Sequence, residues 1–224
     1  MRRILVFDVN ETLLDLRALE PRFERVFGDR SVLAEWFNQL ILYAEAVTLA
    51  NAYRPFGEIA RAALEMTAQA HRVSLATDEA SAIIQSIRAL PPHAEVPASL
   101  DRLRRAGFRM VVLTNSPPAV VDAQMKHANL QQYFERNFSV DSVRRYKPAP
   151  EPYLMVASEL GVAPEHLRLI AAHAWDCGRA MRAGFRAAFV ARAGKAAFPL
   201  FPRPDITGAS LSEVTGAILA SELP

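Results

Sequence analysis

Four stretches of the sequence place polar side chains directly behind apolar runs. Asp8-Val9-Asn10-Glu11-Thr12 follows Ile4 to Phe7, and Thr114-Asn115-Ser116 closes the run that begins at Phe108. Lys147 stands in Tyr146-Lys147-Pro148-Ala149-Pro150, and His173-Ala174-Trp175-Asp176 follows Leu167 to Ala171. A carboxylate, a hydroxyl, a lysine and a second carboxylate in that order can build a nucleophilic site, with Asp8 attacking and Lys147 between Asp8 and Asp176. At about 4 Å and an effective dielectric near 20, each favourable charge pair is worth about 4 kcal/mol, enough to keep Asp8 ionised at neutral pH. The ionised carboxylate is the form that attacks. Thr12 and the Thr114-Asn115 turn supply hydroxyl, amide and backbone donors for the attacking oxygens or for a substrate carboxylate.

The elements that must position these residues follow from the hydrophobic pattern. Ile4 to Phe7 reads as a fully buried strand. From Leu16 to about Arg88 the chain turns to alanine- and leucine-rich stretches that predict helices over Arg17–Phe27, Val32–Ala52, Phe56–His71 and Asp78–Leu90. Prolines 91, 92 and 97 mark a break. Helices then alternate with strands: helix Ala98–Ala106, strand Phe108–Thr114, helix Pro118–Ala128 and a short strand Phe138–Val140 come first. Helix Glu151–Leu160, strand Leu167–Ala171, helix Cys177–Ala183 and strand Ala187–Val190 follow, and Phe198–Pro204 reads as a surface loop. The alternation predicts an α/β fold, a doubly wound, Rossmann-like parallel sheet with helices on both faces. The helical block is then an insertion after the first strand, giving a core of residues 1–15 and 93–224 and an inserted helical unit of residues 16–92.

Composition narrows the function classes. With 224 residues, 51% hydrophobic and 22% charged, the chain is globular, which excludes disorder, collagen and coiled coil. Lys plus Arg (26) nearly balance Asp plus Glu (24) and are scattered, so there is no electrostatic footprint for nucleic acid. No uncharged run approaches the roughly 20 residues of a membrane helix, and Asp8 comes too early for a signal peptide. A single cysteine, Cys177, forms no internal disulfide, and no Cys/His cluster has zinc spacing; the expected home is a reducing cytoplasm.

The order Phe7-Asp8-Val9-Asn10-Glu11-Thr12-Leu13, Leu113-Thr114-Asn115, Tyr146-Lys147-Pro148-Ala149-Pro150-Glu151-Pro152-Tyr153 and Ala174-Trp175-Asp176 resembles the haloacid dehalogenase superfamily. More narrowly it resembles the L-2-haloacid dehalogenase branch, over essentially the whole chain, including a helical cap after the first strand. The resemblance implies that Asp8 displaces halide from the α carbon of a short 2-haloacid and that water then hydrolyses the aspartyl ester to a 2-hydroxyacid. It implies further that Thr12, Thr114 and Asn115 position the nucleophile or the substrate carboxylate, that Lys147 neutralises Asp8, and that Tyr153 supports Lys147. Asp176 orients Lys147 and the hydrolytic water, and Trp175 and Phe56 line an apolar pocket. No metal or other cofactor is implied, and dimers are common in the branch, so a homodimer through the Val32–Ala52 helix is an expectation by analogy.

The departures from the pattern are specific. Family members carry a halide-receiving arginine on a cap helix where this chain has Phe37, leaving Arg54, Arg22 or Arg25 as substitutes. Asn10 stands where a tyrosine is usual in substrate contact, and Ala171, Ala172 and His173 stand where serines and an asparagine are usual. His173 is thereby a candidate general base or halide donor. Each residue also has a plainer reading: Asp8 in a turn, Lys147 in a solvated loop, Asp176 as a helix N-cap, Phe56 and Trp175 in the core, Cys177 inert. Two other functions compete. A magnesium-dependent phosphatase of the same superfamily would carry an acid at position 10 to protonate the leaving alcohol, which an amide cannot do. A catalytically silent binding module would not be expected to keep Asp8, Thr12, Lys147 and Asp176 together.

Overall fold

The computed structural model describes residues 2–222; Met1, Leu223 and Pro224 of the expected core lie outside the described residues. Strand β1 (Ile4–Phe7) is apolar throughout because both its faces are covered. It lies in a parallel sheet with β2 (Met110–Thr114), β3 (Arg136–Ser139), β4 (Leu167–Ala171), β5 (Arg186–Val190) and β6 (Ile206–Gly208), in the order β3-β2-β1-β4-β5-β6. Val6 pairs with Val111 on one side and Leu169 on the other. Alternate residues feed two cores. Leu5, Phe7, Val112, Ile170 and Ala188 join residues of α5 (Val96–Arg105), α6 (Pro118–His127) and α9 (Leu211–Glu222). Ile4, Val6, Leu113, Leu169 and Phe189 join residues of α7 (Pro150–Leu160) and α8 (Ala174–Arg182). The chain winds from β1 to β2 and β3, then back across β1 to β4, β5 and β6. That reversal opens a crevice at the carboxyl ends of β1, β2 and β4, where ligands of open α/β sheets bind.

Between β1 and α5 come a short turn of 3-10 helix (Leu16–Leu19), α1 (Glu20–Phe27), α2 (Val32–Leu49), α3 (Phe56–Ala70), α4 (Thr77–Ser86) and a second such turn (Ile87–Ala89). Trp36 of α2 anchors them, its ring 5.3 Å from that of Phe23 and its indole N–H donating to the Ala60 carbonyl at 2.9 Å. The chain leaves and rejoins the sheet at one place: the Asp15 N–H donates to Pro91 O at 2.8 Å and the His93 N–H to Leu13 O at 3.0 Å.

The expected alternation is present, with shifted ends. The first helix begins only at Glu20, the second ends at Leu49, and the fourth gives way to 3-10 geometry at Ile87. Strand β2 starts at Met110, since Gly107 to Arg109 form the entry turn, and β3 sits two residues earlier than expected. Helix α8 begins at Ala174 instead of Cys177, which moves Asp176 from a capping position into the first turn; the N-cap is His173, and its side chain makes no capping bond. Strand β6 and helix α9 are additional. Gly216 and the Ser and Thr residues of α9 dilute its helical pattern, and packing supplies what propensity does not.

This terminal unit is tied to the sheet by Arg168 of β4, whose side chain is buried among acids. It makes a two-point contact with Asp205 at 2.7 and 2.9 Å and reaches the buried Glu222 of α9 at 2.9 Å. Removing the arginine leaves the buried Glu222 with Arg3 alone and takes from Asp205 its two-point contact. Arg168→Met is therefore expected to lower unfolding free energy by about 3 kcal/mol in urea titration; a loss within error would show that the pairing does not hold α9.

Candidate active site

The site is assembled from the ends of four elements. Asp8 directly follows β1, Thr12 lies in the next turn, Lys147 precedes α7, and Asp176 occupies the first turn of α8. Lys147 is 1% exposed and its three ammonium hydrogens have three acceptors: Asp8 Oδ1 at 2.9 Å, Asp176 Oδ2 at 2.6 Å and the Leu113 carbonyl at 3.1 Å. Tyr153 of α7 donates its hydroxyl to Asp176 Oδ1. Thr12 donates to Asp8 Oδ2 at 2.6 Å and accepts from the Ala172 N–H at 2.9 Å, tying the turn after β1 to the end of β4.

The backbone around Lys147 is held from two sides. Its N–H donates to Asn115 Oδ1 at 3.0 Å, and Thr114 Oγ1 accepts from the Ser116 N–H at 3.1 Å, so these two expected site residues shape the loop that seats the lysine. The preceding Tyr146 donates its N–H to Thr48 of α2 and its hydroxyl to the Arg54 carbonyl, and its ring stacks on Tyr53 at 5.2 Å. Phe56 packs on that same ring at 5.6 Å. It supports Tyr146 and does not line the main cavity.

Burial opposes charge at each of these groups, and the pairings decide the outcome. At Asp8 burial would raise the pKa, but the Lys147 ammonium, His173 and the Thr12 hydroxyl outweigh it and hold the carboxyl well below the usual carboxylate range. Lys147 is raised: burial disfavours its charge, and Asp176 and Asp8 more than restore it. Asp176 is raised by burial, which the neighbouring Asp8 anion reinforces against the pull of Lys147. Burial and the Asp176 carboxylate keep Tyr153 protonated. The result is an ionised Asp8 beside a second carboxylate with greater proton affinity.

His173 adds a second cation. Its Nδ1 lies 3.2 Å from Asp8 Oδ2 and its Nε2 2.8 Å from Glu11 Oε2, and Glu11 in turn accepts from Lys195 at 2.8 Å. Burial alone would neutralise the ring; the hydrogen bonds to Asp8 and Glu11 prevail and push its pKa up to about 9. With both nitrogens donating, His173 has no lone pair with which to act as a general base at neutral pH. The ring is stacked between Phe37 at 6.2 Å and Trp175 at 5.1 Å. Glu11 and Lys195 escaped sequence reasoning. The one local signal is that Glu11 stands three residues after Asp8, at a positive φ of 63° that suits a tight turn; nothing in the sequence links it to Lys195, 184 residues away.

His173 lines a cavity of about 830 Å³ together with Trp175, Phe37, Leu33, Ile41 and Lys195. Asp8 sits behind the histidine, 6% exposed. Arg22, Arg25 and Arg54 are absent from this wall among the described residues; Arg25 pairs with Glu79, and Arg54 borders a separate surface hollow with Arg144 and Arg145. Asn10 is turned away, its Oδ1 accepting from Gln124 at 2.9 Å in the protein interior. Cys177 is buried, and burial pushes its thiol well up. The donor set does not fit a divalent cation: an ammonium occupies the space between Asp8 and Asp176, and among the described residues no group of three His, Cys, Asp or Glu side chains is placed to hold a metal ion.

The clamp on His173 has a measurable signature. Its imidazole resonances are expected to titrate near pH 9 instead of 6.5. Because the folded ring binds its proton more tightly than the unfolded chain does, this contribution to stability is complete below pH 6.5 and fades as the pH rises through 9. Titration at the ordinary value would show that the two carboxylates do not hold the ring.

Comparison with known proteins places the chain in a family. The family model described as haloacid dehalogenase-like hydrolase matches residues 3–168. The (S)-2-haloacid dehalogenase of Pseudomonas sp. strain YL is 29% identical over 212 residues, covering 94% of this chain and 91% of that protein. The haloacetate dehalogenase H-2 of Moraxella sp. strain B is 29% identical over 209 residues, covering 91% and 92%. Among solved structures, the L-2-haloacid dehalogenase RSc1362 superposes with a TM-score of 0.93 at 25% identity, over 97% of this chain and 98% of that one. The Xanthobacter autotrophicus L-2-haloacid dehalogenase with covalently bound chloropropionic acid shares the fold, with a TM-score of 0.91 at 23% identity over the whole of both chains.

Proposed function

Since this chain belongs to the haloacid dehalogenase-like hydrolase family, we propose that it is a 2-haloacid dehalogenase acting on a short 2-haloacid through an ester on Asp8. The observation that carries this reading is Lys147 Nζ, buried and shared between Asp8 Oδ1 and Asp176 Oδ2. It keeps the nucleophile ionised without a metal. Oδ2 of Asp8 is already bonded to Thr12 and His173, whereas among the described residues Oδ1 accepts only from Lys147 and keeps a lone pair for attack. Oδ1 forms a bond to the α carbon as the carbon–halogen electron pair leaves with the halide.

Water then adds to Cγ of the ester and gives a proton to Asp176, whose proton affinity is raised. The Cγ–Oδ1 bond breaks, and Oδ1 leaves as the hydroxyl of the product with a proton from Lys147. Asp176 returns a proton to Lys147 across their 2.6 Å contact, and the new Asp8 carboxyl loses its own to solvent, so each turnover releases one halide and one proton. Tyr153 fixes Asp176, and Trp175, Phe37 and His173 form the wall the substrate meets. Asn10, bonded to Gln124, and Phe56, packed on Tyr146, act on the site only through those neighbours.

The helices of residues 16–92 act in this reading as a cap over the core of residues 1–15 and 93–224. A homodimer would cover the exposed Leu42, Tyr43 and Leu49 of α2 and Met66 of α3. The setting is the cytoplasm, consistent with the one buried free cysteine; no helix of the described residues is long and apolar enough to cross a membrane.

Halide and proton release from (S)-2-chloropropionate, chloroacetate and fluoroacetate should proceed in buffer containing a chelator and vanish in Asp8→Asn. Release that survives in Asp8→Asn, or that needs added magnesium, overturns the reading. Tyr153→Phe leaves Asp176 with one buried hydrogen bond fewer, which costs about 1–3 kcal/mol; a fall in kcat of about tenfold or more is expected in steady-state assays.

A further inference from the structure

The pairing of Asp8 Oδ2 raises a question that the alkylation step does not answer. Once Oδ1 is esterified, Oδ2 is the carbonyl oxygen of the ester, and it is the atom on which negative charge develops when water adds to Cγ. Two donors already point at it: the Thr12 hydroxyl at 2.6 Å and His173 Nδ1 at 3.2 Å. Donors fixed in advance around a developing oxyanion, in a site closed to water, are among the largest contributors to acyl transfer.

Resting on the dehalogenase reading above, we propose that His173 is a catalytic residue of the second half-reaction, the charged donor of an oxyanion site completed by Thr12, and that Glu11 is the positioning residue that keeps it charged. Water adds to Cγ, the Cγ–Oδ2 π pair moves onto Oδ2, and the Nδ1–H and Oγ1–H bonds hold that charge. The pair returns as Cγ–Oδ1 breaks, with protons handled by Asp176 and Lys147 as before, so His173 keeps its proton throughout.

Glu11 is needed for a reason specific to the ester. In the resting site His173 faces two carboxylates, Asp8 and Glu11. Esterification neutralises Asp8, and Glu11 then remains the only anion on the ring, at 2.8 Å from Nε2. Lys195 sits on Glu11, Lys147 beyond Asp8, and Asp176 beyond Lys147. Arg17, Glu20, Arg30 and Glu45 line the same cavity without an ion pair to the ring among the described residues, and Phe37 and Trp175 pack against it. A backbone conformation of φ 63°, which few residues with a side chain adopt, places Glu11 at this post.

The test separates the two half-reactions. Wild-type enzyme and His173→Gln are mixed with (S)-2-chloropropionate, halide is followed from the first turnover, and the peptide containing Asp8 is weighed by mass spectrometry after an acid quench. The expected result for the variant is a burst of one halide per site that outruns its own turnover, which is slowed about 100-fold or more, with the propionate residue, less its halogen, added to Asp8. In Glu11→Gln the alkaline fall in ester hydrolysis should move to lower pH than in wild type, with the ester still forming on Asp8. Turnover of His173→Gln within a few-fold of wild type, a slowed burst with no ester on Asp8, or coincident pH profiles for Glu11→Gln and wild type would overturn the assignment. A wild-type enzyme that releases no halide would instead overturn the dehalogenase reading on which it rests.

Discussion

The structure depends on one ammonium group. Lys147 is placed where water does not reach, which by itself would drive off its proton, and it is charged because two carboxylates and a backbone carbonyl take all three of its hydrogens. Each acceptor belongs to a different part of the fold: Asp8 to the end of the central strand, Leu113 to its neighbour, Asp176 to the first turn of α8. The parallel sheet brings these ends to one edge, and the winding reversal at β1 leaves the crevice open there. The helices inserted after β1 hold the same lysine from the other side, through Thr48 and the Arg54 carbonyl on Tyr146. Disturbing any of these would leave a charge without a partner in a dry interior, so chemistry and fold constrain one another.

From that centre the charges alternate outward: Asp176, Lys147, Asp8, His173, Glu11, Lys195. Each member stabilises the ionisation of the next, and the series runs from a buried carboxylate to a partly exposed lysine at the cavity. An alternating series tolerates burial better than isolated ions because every desolvation is opposed by one or two close contacts. It also explains how Asp8 stays fully ionised while accepting three hydrogen bonds. The cost is reduced nucleophilicity at Oδ2, which leaves Oδ1 as the reactive oxygen.

The architecture was legible in the sequence because fully buried strands and alternating helices leave a strong periodic signal, and Asp8, Lys147 and Asp176 were legible because each closes or interrupts such a run. What was not legible depends on distance in space. Asn10 stands beside the nucleophile in sequence, yet its amide points to Gln124, since the turn after β1 directs alternate residues to opposite sides. Phe56 opens a helix and reads as pocket lining, but the ring it meets is Tyr146. Glu11 and Lys195 meet only because the β5–β6 connection passes over the turn after β1. Strand β6 and helix α9 are short or weakly patterned and are secured by the buried Arg168, a tertiary contact without local signature.

The exchange at position 37 ties these points together. A flexible arginine on a helix over the site would bring its charge to the cavity at a cost in side-chain entropy. This chain has Phe37 instead, its ring 6.2 Å from that of His173, and Trp175 lies 5.1 Å from the same imidazole. An imidazolium within about 6 Å of an indole face gains cation–π attraction of about 1 kcal/mol, and hydrogen bonds to two carboxylates fix its orientation. Here a positive charge sits on a ring at the N-cap of α8, next to Asp8. A cation in that position is poorly placed to collect a leaving group departing away from Asp8, and well placed to act on the aspartyl ester. In the proposed mechanism the ring at 173, packed against Phe37, places electrostatic assistance with the second half-reaction.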